Sequence, residues 1–190
     1  MPRLFLIRHA EPQAAWGGGD HDPGLSDKGR EQAAATASVL MGLGSLALLS
    51  SPMRRCQETA APFAALSGQA AILNPAVSEV VAPASVGDRR TWLRENFPWD
   101  EGGVRRKWAH VDPALLAWRD DVTNAMRAVR RDSAIFSHFI AINVIVGAAT
   151  DAEETMVFRP GHASITELAL DAEALRVVSL GAEMQSADVR

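Results

Sequence analysis

The chain has 190 residues, 47% of them apolar and 22% charged, with a net charge of −4. Those values fit one soluble domain with a sizeable core, and no run approaches the roughly 20 apolar residues that cross a bilayer. The mild negative charge argues against nucleic acid or a membrane surface as the main partner, and the lone cysteine, Cys56, excludes an internal disulfide and fits a reducing, cytoplasmic setting.

Arg3 to Arg8 is a short apolar run ending in Arg8-His9. It predicts a buried first strand and is too short for a signal peptide. Residues 10–25 are rich in Gly, Pro and Asp and predict a loop. Ser26 then serves as an N-cap, and Ala33, Ala37, Leu40 and Met41 recur at helical spacing until Gly42 or Gly44. Leu46 to Leu49 predicts a second buried strand. Ser51-Pro52 opens another helix, Ser as cap and Pro at the first position, running to about Leu66. Ala70 to Val77 predicts a third strand, and residues 78–112 an irregular segment. Ala114 to Arg130 has helical periodicity, Ser133 to Phe136 reads as a buried strand, and Ile140 to Ala148 as a helix. Residues 155–159, 164–170 and 175–180 each suit a strand, the last two forming a hairpin around Asp171-Ala172-Glu173.

Strands alternating with helices predict an α/β fold, a three-layer α/β/α sandwich with a mostly parallel sheet. In such sheets chemistry collects beyond the carboxyl ends of the strands. Three segments fall there: Arg8-His9, Ser51 to Arg55, and Ser137-His138. Two arginines, two histidines and a helix start make a phosphate pocket. Arginine forks match phosphate oxygens, helix N-termini attract anions, and a neutral imidazole can attack phosphorus.

Four blocks carry a resemblance: Arg8-His9-Ala10, Leu25-Ser26-Asp27-Lys28-Gly29-Arg30-Glu31-Gln32-Ala33, Ser51-Pro52-Met53-Arg54-Arg55-Cys56-Gln57-Glu58-Thr59-Ala60, and Ser137-His138. In order and spacing they resemble the histidine phosphatase superfamily, the phosphoglycerate-mutase-like proteins. The resemblance implies one such domain over residues 1–190, with a lid-like insertion at about 78–112. It implies that His9 is the nucleophile, that Arg8 and Arg55 clamp phosphoryl oxygens, and that His138 both binds phosphate and stabilises the transition state. Glu79, in Val77-Ser78-Glu79, takes the place of the general acid, with Glu11, Asp88 and Glu95 as fallbacks. The implied reaction is metal-independent hydrolysis of a phosphate monoester through a phosphohistidine, with no cofactor. The substrate would be a small phosphorylated metabolite or a phosphoprotein. The alternatives are mutase-type phosphoryl transfer, a phosphohistidine-protein phosphatase, and a non-catalytic phospho-ligand binder. Two departures from the family pattern stand next to the histidines: Ala10 and Phe139 each replace a glycine. Phe139 either narrows the site or turns into the core.

The remaining candidates are read as structural. Arg54 pairs with an acid at the surface, because helix neighbours point about 100° apart. Ser26 and Ser51 are caps only, and Cys56 is a small residue on the inner face of a helix. His110 and His162 are incidental and His21 is solvated. The histidines lack metal-ligand spacing. Arg89, Arg90, Arg94, Arg105, Arg106 and Lys107 are mostly solvated charge, on a segment whose Trp92, Trp99 and Trp108 pack on the core.

Overall fold

The computed structural model describes residues 1–14, 22–99, 105–172 and 174–184. Its elements are β1 (Arg3–Arg8), α1 (Asp27–Met41), β2 (Ala47–Ser50), α2 (Arg54–Ser67), β3 (Ile72–Leu73), α3 (Arg89–Asn96), α4 (Pro113–Arg127), β4 (Ser133–Ser137), α5 (Phe139–Ala149), β5 (Ile165–Asp171) and β6 (Ala174–Ser179). Among the described residues the strands form one sheet in the order β3-β2-β4-β1-β5-β6. The first four strands in that order run parallel, β5 runs antiparallel to β1, and β6 runs antiparallel to β5. This is the predicted three-layer, mostly parallel α/β arrangement, with an antiparallel hairpin at one side.

The layers follow from alternation along β1. Leu4 and Leu6 face one core, shared with Leu115, Val122 and Met126 of α4 and Phe139, Ile142 and Val146 of α5. Phe5 and Ile7 face the other, with Ala37 and Leu40 of α1 and Cys56, Ala60 and Phe63 of α2. A strand that alternates its side chains yet buries both sets must be covered on both faces. Each such side chain contributes roughly 1.5–3 kcal/mol by leaving water.

Several boundaries differ from the sequence reading. Residues 70–77 give only the two-residue β3, followed by a single 3₁₀ turn, Pro75–Val77, capped by the Asn74 side chain. The stretch 78–112 is not wholly irregular. Asp88 caps α3 by accepting from Arg90 N and Thr91 N, and another 3₁₀ turn covers Trp108–His110. Trp99 and Trp108 are buried in the first core and Trp92 packs against it, as expected. Arg94 stacks over Trp99 and Arg119 over Trp108. Residues 155–159 form no strand: Asn143 Oδ1 on α5 accepts from both Val157 N and Phe158 N, taking the place of a neighbouring strand. Ser51 does not cap α2. The cap position is Met53, and the helix starts at Arg54. The β5–β6 hairpin forms where predicted, turning through Ala172 at φ 54°. Glu173, His21 and the glycines at 17–19 and 102–103 lie outside the described residues.

Gly29 has a physical reason for its place in the second block. A Cβ there would stand 2.1 Å from the carbonyl oxygen of Glu11. The first turn of α1 therefore lies directly on the backbone that leaves β1, and Ser26 Oγ joins the two by donating to Glu11 Oε1 while accepting from Gly29 N.

Candidate active site

Three parallel strands deliver their carboxyl ends to one rim. β1 ends at Arg8, so His9 is the first residue beyond it, tied to β4 by its N–H to Ser137 O at 2.9 Å. β4 ends at Ser137, so His138 stands at the entry to α5. β2 leads through Ser51 into α2, whose first turn carries Arg55 on its buried side. Arg54 turns outward, as predicted, and pairs with Glu58 at 2.7 Å.

The His9 and His138 rings lie 5.4 Å apart between centroids. His9 Nδ1 donates to its neighbour's carbonyl, Ala10 O, at 2.9 Å. A carbonyl only accepts, so the proton sits on Nδ1 and the lone pair on Nε2. The Ala10 peptide is fixed in turn, because Ala10 N donates to Thr59 Oγ1. Arg55 Nη2 donates to His138 Nδ1 at 3.1 Å. That leaves the His138 proton on Nε2, which donates to Ser51 Oγ at 2.8 Å. Ser51, read from the sequence as a cap only, is thus the anchor of the second imidazole.

Arg8 is held at its guanidinium. Its Nη1 donates to Pro160 O at 2.9 Å and lies 3.3 Å from Met184 Sδ. Its Nη2 is 3.0 Å from His162 Nε2. Below it lies the ring of Phe139, 4.9 Å from Cζ. Phe139 is buried in the core beneath the arginine, so its bulk turns inward and supports the guanidinium through its π face.

Burial pushes both imidazoles well below the ordinary histidine value. For His9 the neighbours Arg8, His138 and Arg55 push the same way, and for His138 Arg55 and Arg8 do. Both rings are therefore neutral at pH 7. Burial also draws Arg8 down to about 9, Glu79 opposing and Arg55 adding to the effect, which leaves it cationic at pH 7. Glu79 is raised by burial, against the pull of the Ile140 and Val80 N–H groups and Arg55. Burial pushes the Cys56 thiol up to about 12, which leaves it protonated and unreactive on the inner face of α2.

The helix starts play a different part from the one expected. Asp22 takes Arg54 N at the start of α2 with both carboxylate oxygens, at 2.9 and 3.0 Å. Glu79 takes Ile140 N and Ala141 N at the start of α5, at 3.0 and 3.1 Å. These N–H groups serve the protein's own carboxylates, and the anion-binding character of the pocket rests on side chains. Asp22 also reaches Arg55 Nη1 at 3.6 Å.

Of the fallback acids, Glu11 is bound to Ser26 and Lys28, Asp88 caps α3, and Glu95 is exposed on α3. His110, read as incidental, is exposed. His162 is not incidental: its ring lies 5.7 Å from that of His9. Among the described residues no three His, Cys, Asp or Glu side chains gather as a metal site requires, and no helix is long and apolar enough to cross a membrane.

The sequence profile of the histidine phosphatase superfamily (branch 1) matches residues 4–183. The chain belongs to the histidine phosphatase superfamily. Among the proteins similar to it is a glucosyl-3-phosphoglycerate phosphatase of Mycolicibacterium vanbaalenii, 36% identical over 126 residues. That match covers 63% of this chain and 48% of the relative, so the chain spans about half the length of the curated protein it resembles. The fold is shared with a mycobacterial glucosyl-3-phosphoglycerate phosphatase complexed with VO3, at a TM-score of 0.71 and 22% identity over 96% of this chain and 100% of the other. It is shared equally with a phosphoserine phosphatase of Entamoeba histolytica in complex with 3-phosphoglyceric acid. That protein aligns at a TM-score of 0.71 and 20% identity, over 97% and 98% of the two chains.

Proposed function

We propose that this histidine phosphatase hydrolyses phosphate monoesters of small metabolites through a phosphohistidine on His9, with no metal. The observation that carries the reading is the Nδ1–H of His9 fixed on Ala10 O, which commits Nε2 to attack beside two guanidiniums and a second imidazole.

In the first step the Nε2–phosphorus bond forms and the phosphorus–oxygen bond to the leaving group breaks. Glu79 gives its proton to the departing oxygen, a task suited to a carboxyl raised by burial. In the second step a water oxygen bonds to phosphorus, the phosphorus–nitrogen bond breaks, and the water's proton returns to Glu79. Arg8, Arg55 and His138 hold the three non-bridging oxygens, where negative charge is spread in the transition state. An incoming phosphate dianion draws Arg55 Nη2 away from His138 Nδ1 and favours a proton on that nitrogen. His138 then donates to phosphate from Nδ1 while Nε2 stays on Ser51. The positive charges come from side chains, so metal is not required. The segment 78–112, which includes Glu79, is the part of the chain we assign to the leaving group.

The test is turnover of p-nitrophenyl phosphate with a chelator present, in the native chain and in His9→Ala. Activity that survives the chelator and vanishes in the variant supports the reading. Chelator-sensitive activity, or an active His9→Ala, refutes it. Mutase-type transfer is separated by supplying 3-phosphoglycerate with 2,3-bisphosphoglycerate, since a mutase exchanges phosphate and a phosphatase releases it. A phospho-ligand binder would bind orthovanadate without turnover of any ester. A substrate screen starts with phosphoserine and with phosphoglycerate esters, after the relatives' names and ligands.

A further inference from the structure

His162 belongs to none of the four signature blocks, yet its ring stands in the pocket. The turn that carries it is fastened at every peptide. Gly161 N donates to Ala182 O at 2.7 Å, Ala163 N to Arg8 O at 3.1 Å, and Thr36 Oγ1 to Ala163 O at 2.9 Å. Ala163 takes a left-handed conformation, φ 57°, to make this close return. A rigid turn therefore sets the imidazole at 3.0 Å from Arg8 Nη2. Arginine can only donate, so His162 Nε2 must accept and the ring proton is on Nδ1.

We propose that His162 is a positioning residue for phosphoryl recognition: by accepting an Nη2 hydrogen of Arg8 it fixes the in-plane angle of that guanidinium. Pro160 O and Met184 Sδ hold the Nη1 side and the Phe139 ring supports the face. Without an acceptor at position 162 the fork loses the bond that sets its Nη2 side. A guanidinium must meet phosphate oxygens within narrow angles to bind in a fork, so that loss lowers affinity for the transition state. His162 acts through Arg8 and need not touch the substrate. This inference rests on the phosphate-site reading above.

The experiment is a double-mutant cycle. His162→Leu keeps apolar bulk and removes the acceptor. His162→Gln returns an amide oxygen near the place of Nε2. A hydrogen bond from a charged donor supports a loss of roughly 10- to 100-fold in kcat/KM in His162→Leu, together with weaker orthovanadate binding. His162→Gln should stay within about threefold of the native chain, and in an Arg8→Ala background the Leu substitution should change little, about twofold or less. Thermal denaturation of each variant separates loss of fold from loss of alignment. The inference is overturned if Leu serves as well as His. It is equally overturned if Gln is no better than Leu, or if the Leu substitution costs as much without Arg8 as with it. Orthovanadate binding without ester turnover refutes only the hydrolytic reading, and the cycle is then read in vanadate affinity. A native chain that neither binds vanadate nor turns over ester refutes both.

Discussion

Arg55 Nη2 lies 3.1 Å from His138 Nδ1, so two groups proposed to share one phosphoryl group are hydrogen-bonded to each other. An arriving dianion must break that bond. Burial first, and then the Arg55 and Arg8 guanidiniums, keep His138 neutral, and the dianion's charge opposes the guanidiniums. Sulfate, which does not titrate near neutral pH, is expected to bind with uptake of about one proton at pH 8. Calorimetry in buffers of different ionisation enthalpy measures this. Uptake should vanish in His138→Asn, and sulfate binding to the native chain with no proton uptake would falsify the exchange.

Stability should fall on mild acidification. His9 and His138 have folded values well below 6.5. Above pH 6.5 both folded and unfolded chains hold them neutral, and the stability they allow is fully present. As pH drops toward the folded values, the unfolded chain binds protons that the folded chain refuses. The loss is about 1.4 kcal/mol per pH unit for each histidine. Glu79, raised by burial, runs the other way, because its folded form gains a proton first as pH falls. Urea unfolding of Glu79→Gln between pH 7.5 and 5.5 reads the histidines without that offset. Adding His138→Asn should halve the slope. An unchanged slope in the double variant would show that His138 is not held neutral.

Glu79→Gln also separates proton donation from structure. An amide oxygen can still accept one of the α5 N–H groups that Glu79 binds, while the amide has no acid proton to give. Alkyl phosphates, whose leaving oxygen needs protonation, should lose roughly 10²- to 10⁴-fold in kcat. p-Nitrophenyl phosphate, with a stabilised leaving anion, should lose far less. Equal losses on both esters would remove Glu79 from the acid role and point to a positional one.

Gly29→Ala should be costly although the residue is helical. The added methyl carbon would meet Glu11 O at 2.1 Å, and a backbone atom cannot swing aside as a side chain can. A loss of about 1–3 kcal/mol is expected from the overlap. Because Glu11 lies two residues after His9, kcat should fall too. Chemical denaturation and p-nitrophenyl phosphate assays check both, and a variant as stable as the native chain would mean that the α1 turn is not pinned there.

The elements that could be read in the sequence are those with a strong local pattern. β1, β4 and the β5–β6 hairpin are apolar runs between breakers, and α1 has a cap that binds as predicted. His9, Arg8, Arg55 and His138 were legible because each ends or follows a strand or opens a helix, and the sheet topology gathers those ends. What stayed hidden depends on distant partners. Residues 155–159 alternate like a strand, but their N–H groups are taken by Asn143 Oδ1, a side chain 14 residues away for Val157. α3 was hidden in a segment rich in charge, although Asp88 marked its start. Ser51 had a good local explanation as a cap and turned out to face His138 instead. His162 sits in a turn with no periodicity. Bonds to distant segments, such as those from Ala163 N to Arg8 O and from Gly161 N to Ala182 O, bring it to the pocket.

The position of β1 has a consequence for synthesis. It is synthesised well before both of its neighbours, for it pairs with β4 through Leu4 and Ser133 and with β5 through Arg3 and Ala169. Until those strands follow, this greasy segment has neither neighbour, and such non-local pairing is slow to assemble. The nascent chain therefore carries an exposed, aggregation-prone strand until β4 and β5 emerge, a period in which a chaperone would have the most to protect.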